Sequence, residues 1–547
     1  MAAVTAPPRL VPRPAASLIL IRDAAWGPEV LMLQRTPSAV FLGGAHVFPG
    51  GSLDAADADP RVLRRLLNSD AKDPPAPYRV AAVRECFEEA GILLAWDDNG
   101  KQITAQRADA LMRYRNRPFV ELLEAENLFI PAHALAYYDH WITAPGRARR
   151  FDTRFFVALA PEGQAGSHDA AETVHDIWIG PREALERGAR GELELVFATQ
   201  HTLHDLKSFS SARQAFEHVL ALPEVEANRA CWAQGKEGAK LFRRADAAYF
   251  EIHWSDPDET GETTYDLAPG VPKRLDRTVQ RIIAPNPGVM TGPGTNTYLV
   301  GERDLAIIDP GPAIDSHIQL LLSETKNRLR WILCTHTHMD HSPATAALKA
   351  ATGAQVLGRP APEGQDATFK PDFVVESGQR IQIGEAGGSI TLRAIHTPGH
   401  ASNHLCYLLE QTRMLFTGDH VMQGSTVVIN PPDGDMRAYL ASLEKLLAED
   451  LAIIAPGHGY LIGAPHKELR RLIAHRLGRE QKVVRALERL GDASVEDLLP
   501  LVYDDVPARI HHVAARSLTA HLEKLAAEGA VRTAGERYAL VKSRRAG

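Results

Sequence analysis

Four metal-ligating side chains crowd into six positions in Thr335-His336-Thr337-His338-Met339-Asp340-His341, directly after the apolar run Trp331–Cys334. Imidazole and carboxylate together suit a divalent ion of the zinc type. A chain leaving a strand points successive residues to alternate sides. His336 and His338 can therefore share one ion, with Asp340 and His341 within reach of a second. Three further candidates follow at strand-to-loop transitions: His400 in Thr397-Pro398-Gly399-His400, Asp419 in Thr417-Gly418-Asp419, and His458 in Pro456-Gly457-His458-Gly459. A glycine beside each frees the backbone to turn sharply and aim the side chain. One His-rich loop is easily satisfied by local hydrogen bonds, but four such motifs in succession are not.

The order and flanking chemistry of these motifs resemble the metallo-β-lactamase superfamily, from about Pro285 to Gly459. The resemblance implies that His336, His338 and His400 hold one ion and that Asp340, His341 and His458 hold the other, with Asp419 bridging. The ions would be two zinc, or iron or manganese in their place. Two neighbouring cations make hydroxide available near neutral pH and stabilise the charge that develops on an attacked carbonyl or phosphorus. Asp340 can also act catalytically by orienting the nucleophile. Asp309, which ends its strand in Asp-Pro-Gly, reads equally as a partner to a ligand histidine and as a turn residue. His404 reads as a core or surface histidine rather than a group facing the scissile bond.

Within that superfamily, Asn286-Pro287-Gly288 and Gly294-Thr295-Asn296-Thr297-Tyr298-Leu299-Val300 resemble the β-lactamase-like protein 2 group, whose studied members include single-strand RNA endonucleases. His475, Arg479-Glu480-Gln481 and His521-Leu522 with Leu525 and Gly529 resemble the winged helix appended to that group. Its mixed charge suits packing at least as well as groove binding. Ser342-Pro343-Ala344 stands where Ser-Gly-Gly is more familiar.

A second signal lies in the other half. Arg84-Glu85-Cys86-Phe87-Glu88-Glu89-Ala90-Gly91-Ile92 matches the later part of the Nudix box. On a helix, Glu85, Glu88 and Glu89 share one face, and clustered carboxylates suit magnesium or manganese bridging a diphosphate. Glu88 and Glu89 are the candidate catalytic carboxylates, and Arg84 is placed to pair with Glu88. The earlier part of the box is degenerate. Phe48-Pro49-Gly50-Gly51 supplies the glycine turn, and Asp57 stands at the expected glutamate, with a long Pro-containing insertion before Arg84. Together with Leu33-Gln34-Arg35 and Arg150-Phe151-Asp152-Thr153, this resembles the Nudix branch with an interrupted box, which includes coenzyme A diphosphatases.

A chain of 547 residues has room for three or four domains. Its net charge of −7 argues against a chain-wide basic surface for nucleic acid. The four cysteines form no CxxC pair and read as reduced, buried thiols. The N-terminus lacks the long apolar region of a signal peptide, and no stretch approaches a membrane span, so a cytoplasmic protein without membrane contact is expected. The spacing predicts strands over Ser17–Ile21, Val30–Gln34, Phe151–Ala160 and Val174–Ile179, a helix over Arg79–Ala90 and mostly helix over Leu206–Phe250. Asp256–Lys273, acidic and aperiodic, is the expected linker.

The fold expected is multidomain, α/β and α+β. A disordered tail (1–14) leads to a Nudix fold (15–206), a helical connector and linker (207–275), a central αββα metallo-β-lactamase sandwich (276–470) and a winged helix (471–547). The function expected is metal-dependent hydrolysis of a phosphodiester or thioester, beside a Nudix site for a nucleoside-diphosphate-linked substrate such as coenzyme A. The partner is then a small molecule, nucleotide-like or an acyl thioester. The alternative is a single-strand RNA endonuclease whose Nudix half only binds a regulatory ligand.

Overall fold

A computed structural model of the chain describes residues 10–38, 42–68, 75–164, 166, 173–384 and 390–541. It divides into two compact units, Met1–Trp232 with Leu241–Arg244, and Ala233–Lys240 with Ala245–Gly547.

In the first unit the strand Arg13–Ala24 pairs with Gly27–Arg35 on one side and runs parallel to Phe151–Leu159 on the other. The strand begins at Arg13, inside the stretch expected as a tail, and residues 1–9 lie outside the described residues. Period-two alternation sends Leu18 and Leu20 to a core shared with Val83 and Phe87 of the helix Ala76–Ala90, while Ile19 and Ile21 meet Leu203 and Ala215 on the opposite face. The helix Ala76–Ala90 ends where Gly91 takes the left-handed conformation at φ 67°. Helix Ala212–Leu220 is followed by short strands at Asn228–Arg229, Cys231–Ala233 and Lys240–Phe242 before helix Tyr249–Ser255. That corrects the expectation of mostly helix over Leu206–Phe250. The aromatic Cys231-Trp232-Ala233 and the glycines at 235 and 238 favour extended chain and a turn over helix.

The second unit holds two sheets face to face. One runs in the order Lys273–Arg274, Val279–Ile283, Asn296–Gly301, Leu305–Ile308, Leu329–Leu333, Gln355–Gly358, Phe373–Val374. The other runs Arg380–Ile383, Ile390–His396, Leu405–Leu409, Met414–Gly418, Ile453–Pro456. Tyr298, Ile308 and Leu333 of the first sheet bury against Tyr407, Phe416 and Ala455 of the second. Helices Asp315–Thr325 and Thr345–Thr352 cover the outer face of the first sheet, and Met436–Leu447 and Pro465–Leu490 that of the second. Central strands buried on both faces read as continuous apolar runs, and this is how they appear in the sequence.

Beyond these layers, Val495–Val502 and His511–Ala527 pack with the small sheet Asp492–Ala493, Arg537–Leu540 and Val531–Ala534. The sandwich and the winged helix are continuous through the 26-residue helix Pro465–Leu490. Ala520 joins the core formed by Leu469 and Leu472. Among the described residues no helix is long and apolar enough to cross a membrane.

The expected linker Asp256–Lys273 is irregular but packed. Lys273 Nζ lies 2.7 Å from Glu251 Oε1, and Arg281 makes two bonds to the same carboxylate at 2.6 and 2.8 Å. Burial alone would raise the Glu251 acid, but Arg281 first and Lys273 second hold it down to about 2. A carboxyl depressed on folding stabilises the fold above its unfolded value and loses that contribution as pH falls through its folded value. Acid unfolding of this unit should therefore steepen between about pH 4.5 and 2, with Glu251 contributing on the order of 3 kcal/mol. Circular dichroism against pH, compared with Glu251→Gln, measures this. An identical acid limb in both proteins would refute it.

Candidate metal centre and Nudix carboxylates

The seven side chains named in the C-terminal half all sit where strands end. Leu329–Leu333 delivers His336 to His341, Ile390–His396 leads to His400, Met414–Gly418 ends beside Asp419, and Ile453–Pro456 precedes His458. They converge in two groups, His336, His338 and His400 in one and Asp340, His341, Asp419 and His458 in the other. Within each group the ligand atoms lie within 4.8 Å of one another. In the first, His336 Nε2 and His400 Nε2 each stand 3.0 Å from His338 Nδ1. In the second, His458 Nε2 lies 3.3 Å from both Asp340 Oδ2 and Asp419 Oδ1, and His341 Nε2 lies 3.5 and 3.4 Å from the same two oxygens. Asp419 turns its other oxygen, Oδ2, toward His400 Nε2 at 3.8 Å. One carboxylate thus faces both groups.

The outward ring nitrogens of four histidines are committed elsewhere. His400 Nδ1 donates to the Val428 carbonyl at 2.8 Å and His458 Nδ1 to the Gly294 carbonyl at 3.1 Å. His341 Nδ1 donates to Asp309 Oδ2 at 2.9 Å. Thr335 Oγ1 spends its proton on Asp309 at 2.8 Å, so it accepts from His336 Nδ1 at 3.0 Å. Each partner fixes a tautomer whose inward nitrogen carries a lone pair, the arrangement a cation requires. Asp309 is thereby bonded to the candidate ligand His341, and it also accepts the Thr335 N–H at 2.7 Å.

Burial and charge set the two groups apart. His336 is held well below its ordinary value by burial and by the neighbouring imidazoles, and His338 falls to about 4 by burial and by His400. Burial also pulls His458 down, yet Asp419 and Asp340 outweigh it and lift it to about 10. Asp419 resists burial through His458 and His341 and stays well below the carboxylate range. Among the described residues the buried His341 Nε2, His458 Nε2 and Asp419 Oδ1 approach one another at 3.3–3.4 Å but complete no well-aligned hydrogen bond. Such orphaned atoms facing one another fit a divalent cation better than they fit the protein alone. Gly457 makes the approach possible, since a Cβ there would lie 2.6 Å from Asp419 Oδ1.

His404 is a core histidine. It is fully buried, stacks with its ring centroid 5.1 Å from that of His336, and bonds to Thr397 Oγ1 at 3.0 Å.

In the N-terminal unit the interrupted box closes in space. Arg84 Nε and Nη2 reach Asp57 at 2.8 and 2.9 Å, and Nη1 reaches Glu85 and Glu88, both at 2.9 Å. Asp57 therefore stands in the position of the expected glutamate despite the insertion. Gly50 N–H donates to Glu89 Oε2 at 2.9 Å, and a Cβ on Gly51 would strike the Glu85 carboxylate at 2.5 Å. Burial pushes the Glu85 acid up to about 7, against the pull of Arg84. Glu85 and Glu89 open onto a cavity of about 500 Å³ that Arg35, Arg147, Arg149, Phe197 and Trp232 also line. Glu88 does not line it, and among the described residues the three glutamates do not form a third three-ligand cluster.

The four cysteines are buried, and among the described residues none is in a disulfide. Two positions escaped sequence reasoning, the Val428 carbonyl behind His400 and the Glu251 cluster behind His458. Neither carries a local pattern that could have pointed to it.

Comparison with known proteins matches residues 290–458 to the metallo-beta-lactamase superfamily, 494–539 to the beta-lactamase associated winged helix domain, and 68–200 to the NUDT19 Nudix domain. A beta-lactamase-like protein 2 homolog of Drosophila melanogaster is 31% identical over 280 residues, covering 49% of this chain and 93% of its own. The thioesterase pkgB of Emericella nidulans is 33% identical over 244 residues, covering 44% of this chain and 67% of its own. A NUDIX hydrolase structure from Alicyclobacillus acidocaldarius, 30% identical, covers 38% of this chain and 96% of its own with a TM-score of 0.35.

Proposed function

As a member of the metallo-β-lactamase superfamily, with a Nudix domain ahead of the metal-binding fold and an associated winged helix behind it, the chain is a hydrolase, and we propose that its C-terminal site cleaves an acyl thioester. The ligand sets are His336, His338 and His400 for one ion and Asp340, His341 and His458 for the other, with Asp419 shared. Zinc suits both sets, with iron or manganese able to take its place. When bound, the pair of ions supplies Lewis acidity and a nucleophilic water at neutral pH.

The chain's own residues do the rest. Asp419 sets the spacing of the two groups, and the partners of the outward ring nitrogens keep the histidines from turning. Asp340, the more exposed of the two carboxylates, orients the attacking water. The water oxygen bonds to the carbonyl carbon, the carbon–sulfur bond breaks, and the departing thiolate takes up a proton.

The observation that carries the thioester reading is the exposure of apolar side chains on the segments that bear or adjoin the ligands. Met339, between His338 and Asp340, is 64% exposed, and Val289, in the loop that leads to the Gly294 carbonyl beneath His458, is 90% exposed. Such side chains suit an acyl chain, whereas a polynucleotide calls for cationic contacts. A relative named as a thioesterase supports the same reading. Metal-loaded protein should release thiol from acyl-coenzyme A, and Met339→Asp should raise KM for long acyl chains more than for acetyl. Cleavage of single-stranded RNA without any thiol release would replace this reading with the nuclease one.

For the N-terminal unit we propose hydrolysis of a nucleoside-diphosphate-linked molecule such as coenzyme A, with Glu85, Glu88 and Glu89 binding magnesium or manganese and the cavity arginines facing phosphate. Glu89→Gln should reduce diphosphatase turnover at least ~10²-fold, the scale of losing a catalytic acid–base group. A wild type inactive on coenzyme A and on nucleoside diphosphate derivatives would leave a ligand-binding role instead.

A further inference from the structure

Three charged side chains lie buried behind His458, outside the segment 290–458 that matches the superfamily. Glu251 is fully buried, Arg281 is 1% exposed and Lys273 8%. Replacing a buried ion pair by apolar side chains is often neutral or stabilising. Stability alone is therefore a weak reason for three charges here, and what they hold in place is the better one.

They hold the chain that carries His458. Glu251 Oε2 accepts the Leu461 N–H at 3.0 Å, and Arg281 Nη1, bonded to that same oxygen, lies 3.3 Å from the Gly459 carbonyl. The Gly459 carbonyl also accepts from Asn296 Nδ2 at 3.0 Å, and Asn296 N–H donates to the Gly457 carbonyl at 2.7 Å. The Tyr460 hydroxyl donates to the Tyr265 carbonyl at 2.6 Å. Phe250, next to Glu251, fills the space at Gly463, where a Cβ would lie 2.0 Å from its ring. Gly459 and Leu461, the first and third residues after His458, are therefore tied to Glu251, the one through Arg281 and the other directly. Among the described residues Lys273 bonds to Glu251 and to the Thr264 carbonyl and makes no bond to the loop itself.

We infer that Glu251 is a positioning residue of the C-terminal site, holding the turn Gly457–Leu461 so that His458 Nε2 faces Asp340 and Asp419, and so setting the affinity of the ion those residues share. The inference rests on the two-ion reading above. A ligand held loosely by its supporting bonds costs about 10–100-fold in metal affinity. Lys273, which does not touch the turn, serves as the control for loss of a buried charge.

The test is zinc titration of the full-length protein by equilibrium dialysis, with unfolding followed in parallel. Wild type should bind two zinc ions per chain. Glu251→Gln should keep one at wild-type affinity and bind the second at least ~10-fold more weakly, while Lys273→Met keeps both. Should Glu251→Gln not fold, Arg281→Lys decides, because it preserves the charge but cannot span Glu251 and the Gly459 carbonyl together. Its second ion should weaken in the same way. Wild-type affinity for both ions in a folded Glu251→Gln or Arg281→Lys protein overturns the inference. So does an equal weakening in Lys273→Met, which would assign the effect to lost charge. Fewer than two ions in wild type removes the two-ion reading itself, and this inference with it.

Discussion

Asp419→Ala should abolish turnover at the C-terminal site, with kcat falling by 10²-fold or more while the circular dichroism spectrum stays that of the native fold. The magnitude is that of deleting one major electrostatic element from a preorganised site. The geometry makes this side chain singular. One oxygen lies 3.3 and 3.4 Å from His458 Nε2 and His341 Nε2, and the other lies 3.8 Å from His400 Nε2. Its loss should also lower zinc stoichiometry below two, since the second group is then left with Asp340 as its single carboxylate. Activity within a few-fold of wild type would mean that no carboxylate bridges the two groups, and the proposed chemistry would fail with it.

Arg84→Ala should destabilise the N-terminal unit by about 3–5 kcal/mol, the cost of stripping one partner from a buried ionic network. Asp57 is 1% exposed and would lose both of its bonds to the guanidinium, and the Ser52 carbonyl would lose a third. Glu85 and Glu88 would then face one another without a cation between them. Arg84→Lys should recover only part of the loss, because an ammonium cannot serve Asp57 in a fork while also reaching both glutamates. Differential scanning calorimetry should show a lowered transition for this unit and an unchanged one for Ala245–Gly547. Coincident shifts of both transitions, or no shift, would contradict the assignment of Arg84 to one self-contained network.

The candidate ligand groups were legible because a divalent ion accepts few donor types, and strand ends supply them in short runs flanked by glycine. His336 to His341 announce themselves within six positions. The strand Arg13–Ala24 was legible over its central Ser17–Ile21, because a strand that feeds cores on both faces reads as a short continuous aliphatic run. The linkage of Asp57 to Arg84 could be suspected from spacing, but only the fold shows that the intervening insertion leaves the pair intact. Glu251 was illegible. Its partners Lys273, Arg281 and Leu461 lie far along the chain, and no local period marks a residue whose purpose is to meet three distant ones. The stretch 228–242 misled because propensity is weak evidence for short segments, and a tertiary setting readily overrides it.

The winged helix and the helix before it brace the loop behind the other histidine group. Arg476, on the helix that leads into it, donates to the Val427 carbonyl, and Ser517 Oγ accepts the Ile429 N–H at 3.3 Å. Between them sits Val428, whose carbonyl orients His400. A protein trimmed to the recognisable segment 290–458 would thus be shorn of the clasps on both sides of its metal pocket, although every ligand would still be present. Its weakness as a catalyst would say nothing about those ligands, and an appendage that looks like a nucleic-acid reader would turn out to brace the loop that orients one of them.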